Sequence, residues 1–339
     1  MKVSNYNINL EEAAKEINEK NYKKILLQLP EGLKIYAADF VNFLENKTDA
    51  EFIVYADPCF GACDIVASDI KDIGVDFIVQ IGHLPILSLK NTEPPTMFIN
   101  ASVDFDVEKL IKKVVPKLDS NKIGLVSTAQ HVHLLEKVRK SLLEENFEVL
   151  IGKGDERVDA KGQILGCNFS AASKIKDEVD VFLFIGSGTF HPLGVLINTK
   201  KPVISFDPYT NQVMKKELET MKDKVLRQRY AAIAKSKDAE AFGILIGTKK
   251  GQKRTDLALK LKDIIDSNNK KSYFIALDFF SSQFLEGFTD IDCFVSTACS
   301  RIAVDDYLSY KKPIITPIEL EIVFDKRNWD DYRLDEILS

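Results

Sequence analysis

Three short apolar stretches decide the fold of this chain: KILLQL at Lys24–Leu29, KIGLVS at Lys122–Ser127 and FGILIG at Phe242–Gly247. Each is followed by a polar loop and then by apolar residues at helical spacing, such as Leu257 and Leu261 after the third stretch. Continuous apolar runs of this length are typical of strands buried on both faces of a parallel sheet. We therefore predict three copies of one α/β unit.

The repeat continues through the rest of each unit. The second strands are EFIVYAD, FEVLIGK and SYFIALD, the third strands begin at Val75, Val179 and Ile291, and the fourth lie in TMFINAS, KPVISFDP and KPIITPIE. This pattern predicts an α/β fold with three Rossmann-like lobes, whose parallel sheets surround a pseudo-threefold axis. We expect the lobes to comprise residues 1–105, 106–210 and 211–339. The charged stretch Met214–Ala234 is expected to form an extra helix before the third lobe.

Composition excludes several classes of function. Acidic residues outnumber basic residues, 51 to 46, among 339 residues, which argues against strong nonspecific binding of nucleic acid. The N-terminus lacks the apolar core of a signal peptide, and no apolar run reaches the ~18 residues of a membrane span. We therefore expect a cytoplasmic protein, in which the five cysteines serve as thiols or metal ligands rather than disulfides. No G-x-G-x-x-G or Walker A sequence follows a first strand.

Cysteines occur where predicted strands end, which is the edge at which open α/β sheets bind ligands. Cys59 and Cys63 follow the second strand of lobe 1, Cys167 follows the second strand of lobe 2, and Cys299 ends the third strand of lobe 3. Cys293 lies near the start of that last strand. If the edges face inward, one thiol from each lobe can meet the others. Taken singly, each is better explained as an ordinary buried cysteine.

Three converging thiolates suit one kind of centre better than others. Structural zinc sites are usually built from C-x-x-C pairs, and the chain has none. A cubane iron–sulfur cluster takes one cysteine per iron, so three thiolates leave one iron open to a substrate. The histidines fall at the same edge, where each is singly explained as a loop or core residue: His83, His131, His133 and His191.

Several motifs in order resemble one enzyme family. They are QLPEGL, DPCFGACD, QIGH, QHVHLL, QILGCN, FIGSGTFHPLG, GTKKGQ, STACSRIAVDD and KPIITPIE. Together they are similar to the archaeal 2-(3-amino-3-carboxypropyl)histidine synthases, which begin diphthamide biosynthesis. The resemblance covers most of the chain and implies a [4Fe–4S] cluster held by Cys63, Cys167 and Cys299, with Cys59 and Cys293 outside the ligand set.

The resemblance also implies the reaction and its partners. The 3-amino-3-carboxypropyl group of S-adenosylmethionine, released as a radical, is transferred to C2 of a histidine imidazole on elongation factor 2. A homodimer and an electron donor of unknown identity are implied, but no direct nucleic-acid contact and no catalytic residue beyond the cluster. His83, Gln130, His191 and Arg301 are candidates for contacts with the cofactor, and Arg301 suits its carboxylate because a guanidinium binds carboxylates through two parallel hydrogen bonds.

One departure and three alternatives remain at this point. The family more often has A-C-P-R where this chain has Ala298-Cys299-Ser300-Arg301, which relaxes a backbone restriction but keeps the thiol. A quinolinate synthase-like cluster enzyme has a similar three-lobe, three-cysteine layout. A noncatalytic subunit of a diphthamide complex and a metal-free α/β binding protein are the other two alternatives.

Overall fold

The computed structural model describes residues 1–66, 68–86, 89 and 91–338. The first lobe contains strands β1 (Lys2–Val3), β2 (Tyr6–Ile8), β3 (Lys24–Gln28), β4 (Glu51–Tyr55), β5 (Phe77–Ile81), β6 (Thr96–Ile99) and β7 (Ala101–Ser102). Its helices are α1 (Leu10–Lys20), α2 (Glu31–Lys34) and α3 (Ala37–Glu45), with a 3-10 helix at Ser68–Ile73. Strands β4-β3-β5-β6 form a parallel sheet in that order, and β1-β2-β7 form a small antiparallel one.

The second lobe repeats the same order of strands. Its strands are β8 (Lys122–Ser127), β9 (Glu148–Leu150), β10 (Val181–Ile185), β11 (Val203–Asp207) and β12 (Gln212–Met214). Its helices are α4 (Val107–Val114), α5 (Leu135–Glu144), α6 (Ser170–Ser173) and α7 (Phe190–Thr199), with 3-10 helices at Val115–Lys117 and Val132–Leu134. The sheet order is β9-β8-β10-β11-β12, parallel except for β12, which the sequence analysis did not predict.

The third lobe is built in the same way and carries the long helix that precedes it. Its strands are β13 (Ala241–Gly247), β14 (Lys271–Leu277), β15 (Cys293–Ser296) and β16 (Ile314–Ile315). Its helices are α8 (Lys216–Ser236), α9 (Thr255–Ser267), α10 (Ser282–Leu285), α11 (Arg301–Val304) and α12 (Pro317–Val323), with 3-10 helices at Tyr307–Ser309 and Trp329–Asp331. The parallel sheet has the order β14-β13-β15-β16.

The shared order of second, first, third and fourth strand confirms the predicted α/β class with repeated parallel-sheet lobes. Helix α8 confirms the expected extra helix. Strand β12 pairs with β11 and continues the second sheet to Met214, four residues beyond the predicted boundary at residue 210. The lobe boundaries at residues 105 and 210 stay predictions.

The apolar cores show how the lobes are joined. One continuous core contains residues of lobes 2 and 3, for example Phe182 of β10 and Phe242 of β13. Lobe 1 buries most of its apolar residues in two clusters of its own. Its contacts with the other lobes include Phe105, which packs against the core of lobe 2, and Phe60, which stacks on Phe279 of lobe 3 at 5.9 Å. Lobe 1 therefore meets the rest of the molecule through these aromatic contacts and through loops at the carboxyl ends of its strands.

A buried ion pair stabilises the third lobe. Arg229 of α8 donates to both carboxylate oxygens of Glu319, at 2.7 and 2.6 Å, and to the carbonyl oxygens of Ala303 and Ile314 at 2.5 and 2.8 Å. Glu319 also closes a capping box with Thr316 at the start of α12. Because both side chains are almost fully buried, the pair is stable only with these additional hydrogen bonds.

No helix among the described residues is both long and apolar enough to cross a bilayer.

Candidate metal centre

Three cysteines from three lobes lie close enough to interact electrostatically; Cys167 is buried, and Cys63 and Cys299 are half-buried. Burial raises the pKa of the Cys63 thiol, and the neighbouring Cys167 thiol raises it further. Burial likewise raises the pKa of the Cys299 thiol, followed by the effects of Cys167 and Cys63. Such effects require thiolate charges to lie close together in a poorly solvated site. The structure thus brings together the three thiols that the resemblance implied as ligands.

The other two cysteines differ in their surroundings. Burial raises the pKa of Cys59 to about 12, and its Sγ lies 3.9 Å from the carbonyl oxygen of Gly61. Cys293 lies 3.2 Å from the hydroxyl of Ser236, within the core shared by lobes 2 and 3. Cys293 is therefore a core residue, while Cys59 belongs to the turn that carries Cys63.

A site for one metal ion and a site for a cluster differ in how their ligands are spaced. Across the residues that the structure describes, no three His, Cys, Asp or Glu side chains are arranged to ligate one ion. A tetrahedral zinc site would need its ligands around one common centre. In a cubane cluster each thiolate binds a different iron, which requires wider spacing of the three sulfur atoms.

A loop of lobe 3 holds the turn that carries Cys63. The N–H of Gly251 donates to the carbonyl oxygen of Cys63 at 3.2 Å, and Gln252 Nε2 donates to Cys63 Sγ at 3.6 Å. A Cβ added to Gly251 would lie 2.5 Å from Cys63 Cβ and 2.7 Å from its carbonyl oxygen. Only glycine allows the two backbones to approach this closely.

Lobe 2 supports the same loop from behind. Arg157, which is 5% exposed, donates from Nη2 to the carbonyl oxygen of Gly251 at 2.6 Å. Its Nε is buried and makes no hydrogen bond in the described structure. The positive charge of Arg157 and the hydrogen bond from Gln252 both lower the pKa of Cys63, against the larger effect of burial. Residues of all three lobes therefore meet at Cys63.

Polar side chains also fix the residue that follows Cys63. Lys249 lies 2.5 Å from Asp64 Oδ1, and Asp64 Oδ2 accepts from the N–H of Phe60 at 3.1 Å. Gln28 donates to the carbonyl oxygen of Asp64 at 2.6 Å and accepts from Gln80 at 2.9 Å. The glutamines of the QLPEGL and QIGH motifs thus hold the cysteine turn from inside lobe 1.

A cavity of about 1140 Å³ adjoins this turn between lobes 1 and 3. Tyr55 and Asp64 line it from lobe 1, and Lys249 and Phe279 line it from lobe 3. This volume is sufficient for a ligand of drug or cofactor size.

The Cys167 and Cys299 turns lie against each other and against the C-terminal segment. Ser300 Oγ donates to the carbonyl oxygen of Gly166 at 3.3 Å, which joins the two turns. The N–H of Ile337 donates to the carbonyl oxygen of Cys167 at 2.8 Å. Asn168 donates to the carbonyl oxygen of Ile337 at 3.1 Å. The C-terminal segment therefore fixes the backbone on either side of Cys167.

The four predicted cofactor contacts lie in different surroundings. His191 stacks on Phe184 at 6.3 Å, and burial followed by the charge of Arg301 lowers its pKa to about 4. Arg301 Nε donates to Asp305 at 2.8 Å, and its guanidinium lies 5.0 Å from the ring centre of Phe190. The salt bridge with Asp305 therefore engages the Nε atom of Arg301.

His83 and Gln130 lie in the loops that follow β5 and β8. Burial lowers the pKa of His83 to about 4, and its Nδ1 makes no hydrogen bond in the described structure. The carbonyl oxygen of Gln130 accepts from the N–H of Val103 at 2.9 Å, where lobes 1 and 2 join. Each of the four roles in cofactor binding stays a prediction.

Comparison with known proteins decides the family. Residues 29–333 match the family model of the diphthamide synthesis protein. The chain belongs to this family. It is 36% identical to 2-(3-amino-3-carboxypropyl)histidine synthase of Pyrococcus horikoshii, over 97% of this chain and 93% of that protein. It is 32% identical to the synthase of the same name from Methanocaldococcus jannaschii, over 98% and 93% of the two chains.

A solved structure agrees with this assignment. The crystal structure of Dph2 from Pyrococcus horikoshii with a 4Fe-4S cluster has a TM-score of 0.90 and 35% sequence identity, covering 98% of this chain and 94% of that chain. Members from eukaryotes match as well, such as subunit 1 of the Schizosaccharomyces pombe synthase, which is 28% identical over 98% of this chain and 77% of that protein. The family and the enzyme class predicted from the sequence are confirmed.

Proposed function

We propose that this chain is a 2-(3-amino-3-carboxypropyl)histidine synthase that modifies elongation factor 2 in the first step of diphthamide biosynthesis. It would use a [4Fe–4S] cluster held by Cys63, Cys167 and Cys299, and S-adenosylmethionine as cosubstrate. The observation that carries this proposal is that cysteine turns from three lobes meet. Gly251 of lobe 3 donates to Cys63 at 3.2 Å, and Ser300, next to Cys299, donates to Gly166, next to Cys167, at 3.3 Å.

The donor set fits such a cluster. Three thiolates that lie close together repel one another, and they are stabilised when iron binds between them. Arg157 adds a buried positive charge with an Nε that makes no hydrogen bond in the described structure, which suits the net negative charge of a thiolate-bound cluster. Three protein ligands leave one iron open. When bound, the cluster supplies one electron and an open coordination position for the cosubstrate.

The overall reaction balances without another cofactor being consumed. The bond between the sulfonium sulfur and the methionine γ-carbon breaks, giving methylthioadenosine, and a new bond forms between that carbon and C2 of the imidazole. The proton of C2 leaves, so the positive charge of the sulfonium departs as H⁺. One electron enters when the first bond breaks and leaves when the imidazole regains aromaticity.

The residues of the chain bind and orient the cosubstrate. Arg301, whose side chain is 53% exposed beside the Cys299 turn, is suited to the cosubstrate carboxylate through its Nη atoms, while Asp305 orients its Nε. His191 is uncharged at neutral pH because burial and Arg301 lower its pKa to about 4, so it adds no positive charge near the sulfonium. The cavity beside Asp64 is large enough for the remainder of the cosubstrate.

The partners and location belong to the same proposal. We infer that elongation factor 2 is the protein substrate and that the chain acts as a homodimer in the cytoplasm, with reducing equivalents from a separate electron donor. Light scattering of the purified protein checks the dimer. Some relatives are named as subunit 1 of a synthase. The activity assay therefore also tests whether this chain has a purely noncatalytic role.

The decisive experiment compares single cysteine variants purified without oxygen. Cys63→Ala, Cys167→Ala and Cys299→Ala should each lose most of the iron, whereas Cys59→Ala and Cys293→Ala should retain about four irons per chain. Wild-type protein given dithionite, S-adenosylmethionine and elongation factor 2 should yield methylthioadenosine and an added aminocarboxypropyl group by mass spectrometry. A colourless wild-type protein with one zinc per chain would contradict the proposal.

A further inference from the structure

The loop that ends in Gln252 belongs to lobe 3, yet its last side chain contacts a thiol of lobe 1. Gln252 is 8% exposed, and its Nε2 donates to Cys63 Sγ at 3.6 Å. Hydrogen bonds to sulfur are longer than those to oxygen, and one to a thiolate is assisted by charge. The amide therefore points at the atom that would bind iron.

A second glycine makes this approach possible. A Cβ added to Gly247 would lie 3.2 Å from Gln252 Cβ and 3.5 Å from Ala298 Cβ. Ala298 precedes Cys299, so Gly247 lies between the backbone of Gln252 and the turn that carries Cys299. The amide of Gln252 thus contacts the Cys63 thiol from a loop that packs beside the Cys299 turn.

Arg157 of lobe 2 approaches the Cys63 turn through Gly251. It binds the carbonyl oxygen of Gly251 at 2.6 Å, and the residue is only 5% exposed. Its buried Nε makes no hydrogen bond within the described residues, although such groups are normally satisfied. A buried guanidinium with an unused N–H indicates an acceptor or a negative charge that joins the site later.

We propose that Gln252 and Arg157 are positioning residues that set the reduction potential of the iron–sulfur centre through Cys63. This inference rests on the proposed function, because it requires a cluster bound at Cys63. Gln252 donates a hydrogen bond to the thiolate sulfur, and Arg157 places a fixed positive charge behind it. Neither residue ligates iron.

The physical reason is the charge that reduction adds. One electron makes the cluster and its thiolates more negative, so a hydrogen-bond donor and a cation stabilise the reduced form more than the oxidised form. Hydrogen bonds to the sulfurs and local charge are among the factors that set cluster potentials. Both residues therefore make reduction easier, and this matters because the reaction begins with a reduced centre.

The test is a redox titration of the purified holoenzyme followed by electron paramagnetic resonance. Gln252→Met keeps an unbranched side chain of similar length but removes the N–H, and we expect the equilibrium constant for reduction to fall about tenfold, about 59 mV for one electron. Gln252→Glu replaces the donor with an oxygen and a negative charge, so its potential should be lower still. Arg157→Met should lower the potential, and Arg157→Lys should restore part of it.

Thr297→Val is the matched control. Thr297 is fully buried two residues before Cys299, and its hydroxyl donates to the carbonyl oxygen of Leu245 at 2.8 Å rather than to sulfur. This variant should lose some stability while keeping the wild-type potential, which separates a loss of buried hydrogen bonding from a direct effect on the cluster.

The outcomes separate this inference from the proposed function. Potentials of Gln252→Met and Gln252→Glu equal to wild type, at full iron content, would overturn the tuning role while leaving the synthase intact. Loss of iron from Gln252→Met with an unchanged unfolding temperature would also overturn it, since the residue would then support ligation only. A wild-type protein that binds no cluster would instead refute the proposed function.

Discussion

Replacing Gly251 with alanine should detach the lobe 3 loop from the Cys63 turn. The added Cβ would meet the Cβ and the carbonyl oxygen of Cys63 at 2.5 and 2.7 Å, and its Cα as well. These are mostly backbone atoms, so no side-chain rotation relieves the clash. The loop must move, and it then loses the bond from Gly251 N–H to Cys63 and weakens the bond that Gly251 accepts from Arg157.

The magnitude follows from these two effects. An overpacked methyl group costs about 1–3 kcal/mol. A lost hydrogen bond costs about 1 kcal/mol more. If a free-energy cost of about 3 kcal/mol falls on the geometry that binds the cluster, the affinity for iron at Cys63 should fall roughly a hundredfold. Gly251 lies in the loop between β13 and α9, outside the helices and strands, so the fold itself should persist.

Anaerobic reconstitution with iron and sulfide, followed by iron analysis and calorimetry, measures both effects. Gly251→Ala should bind little iron after exposure to a chelator and should keep the cooperative unfolding of the apoprotein. Gly287→Ala is the matched control in the same lobe, because a Cβ there would meet no atom within 4 Å. Equal iron retention by Gly251→Ala and wild type would refute the close approach of the two backbones and the argument built on it.

Three further predictions concern stability, pH and the cosubstrate. Arg229→Met leaves the buried Glu319 carboxylate uncompensated and should cost about 3–5 kcal/mol in chemical denaturation, most of which the added change Glu319→Leu should recover. Burial lowers the pKa of His83 and of His191 to about 4 from 6.5, so the unfolded chain binds more protons between these values. Stability should therefore fall by roughly 2 kcal/mol per histidine from pH 7 to pH 5, and a denaturation series in which His83→Gln shows the same pH dependence as wild type would contradict this. Arg301→Ala should weaken S-adenosylmethionine binding roughly ten- to hundredfold in anaerobic calorimetry with unchanged iron content, and unchanged affinity would remove it from the site.

The fold was predictable because each repeated unit shows local sequence patterns that are typical of strands and helices. Continuous apolar runs such as Lys122–Ser127 indicate buried parallel strands without any knowledge of the neighbours. Strand β9 is shorter than FEVLIGK suggests, ending at Leu150, and two residues later Gly152 lies so close to the carbonyl oxygen of Ala171 that it has no room for a Cβ. Strand β12 was missed because three residues of mixed polarity carry no periodic signal.

The site was predictable only in part. Thiols can be placed at strand ends by counting strands, but the side chains that support them depend on contacts between distant segments. Gln252 and Cys63 are 189 residues apart, and Arg157 and Gly251 are 94 apart. The one available signal was the GTKKGQ motif, in which Lys249, Gly251 and Gln252 contact the Cys63 turn.

The position of the thiols follows from how the lobes are joined. Lobes 2 and 3 share one apolar core, so the segments that carry Cys167 and Cys299 are joined by buried packing. Lobe 1 buries its apolar residues mainly in clusters of its own, and the turn that carries Cys63 is joined to lobe 3 through the polar contacts of Lys249, Gly251 and Gln252 and the stacking of Phe60 on Phe279. A cluster bound to all three thiols would therefore add a cross-link between lobe 1 and the other two lobes. A ligand that binds only when the three lobes are assembled stabilises that assembly. The increase in stability on cluster binding should therefore appear chiefly in the attachment of lobe 1 to the other lobes.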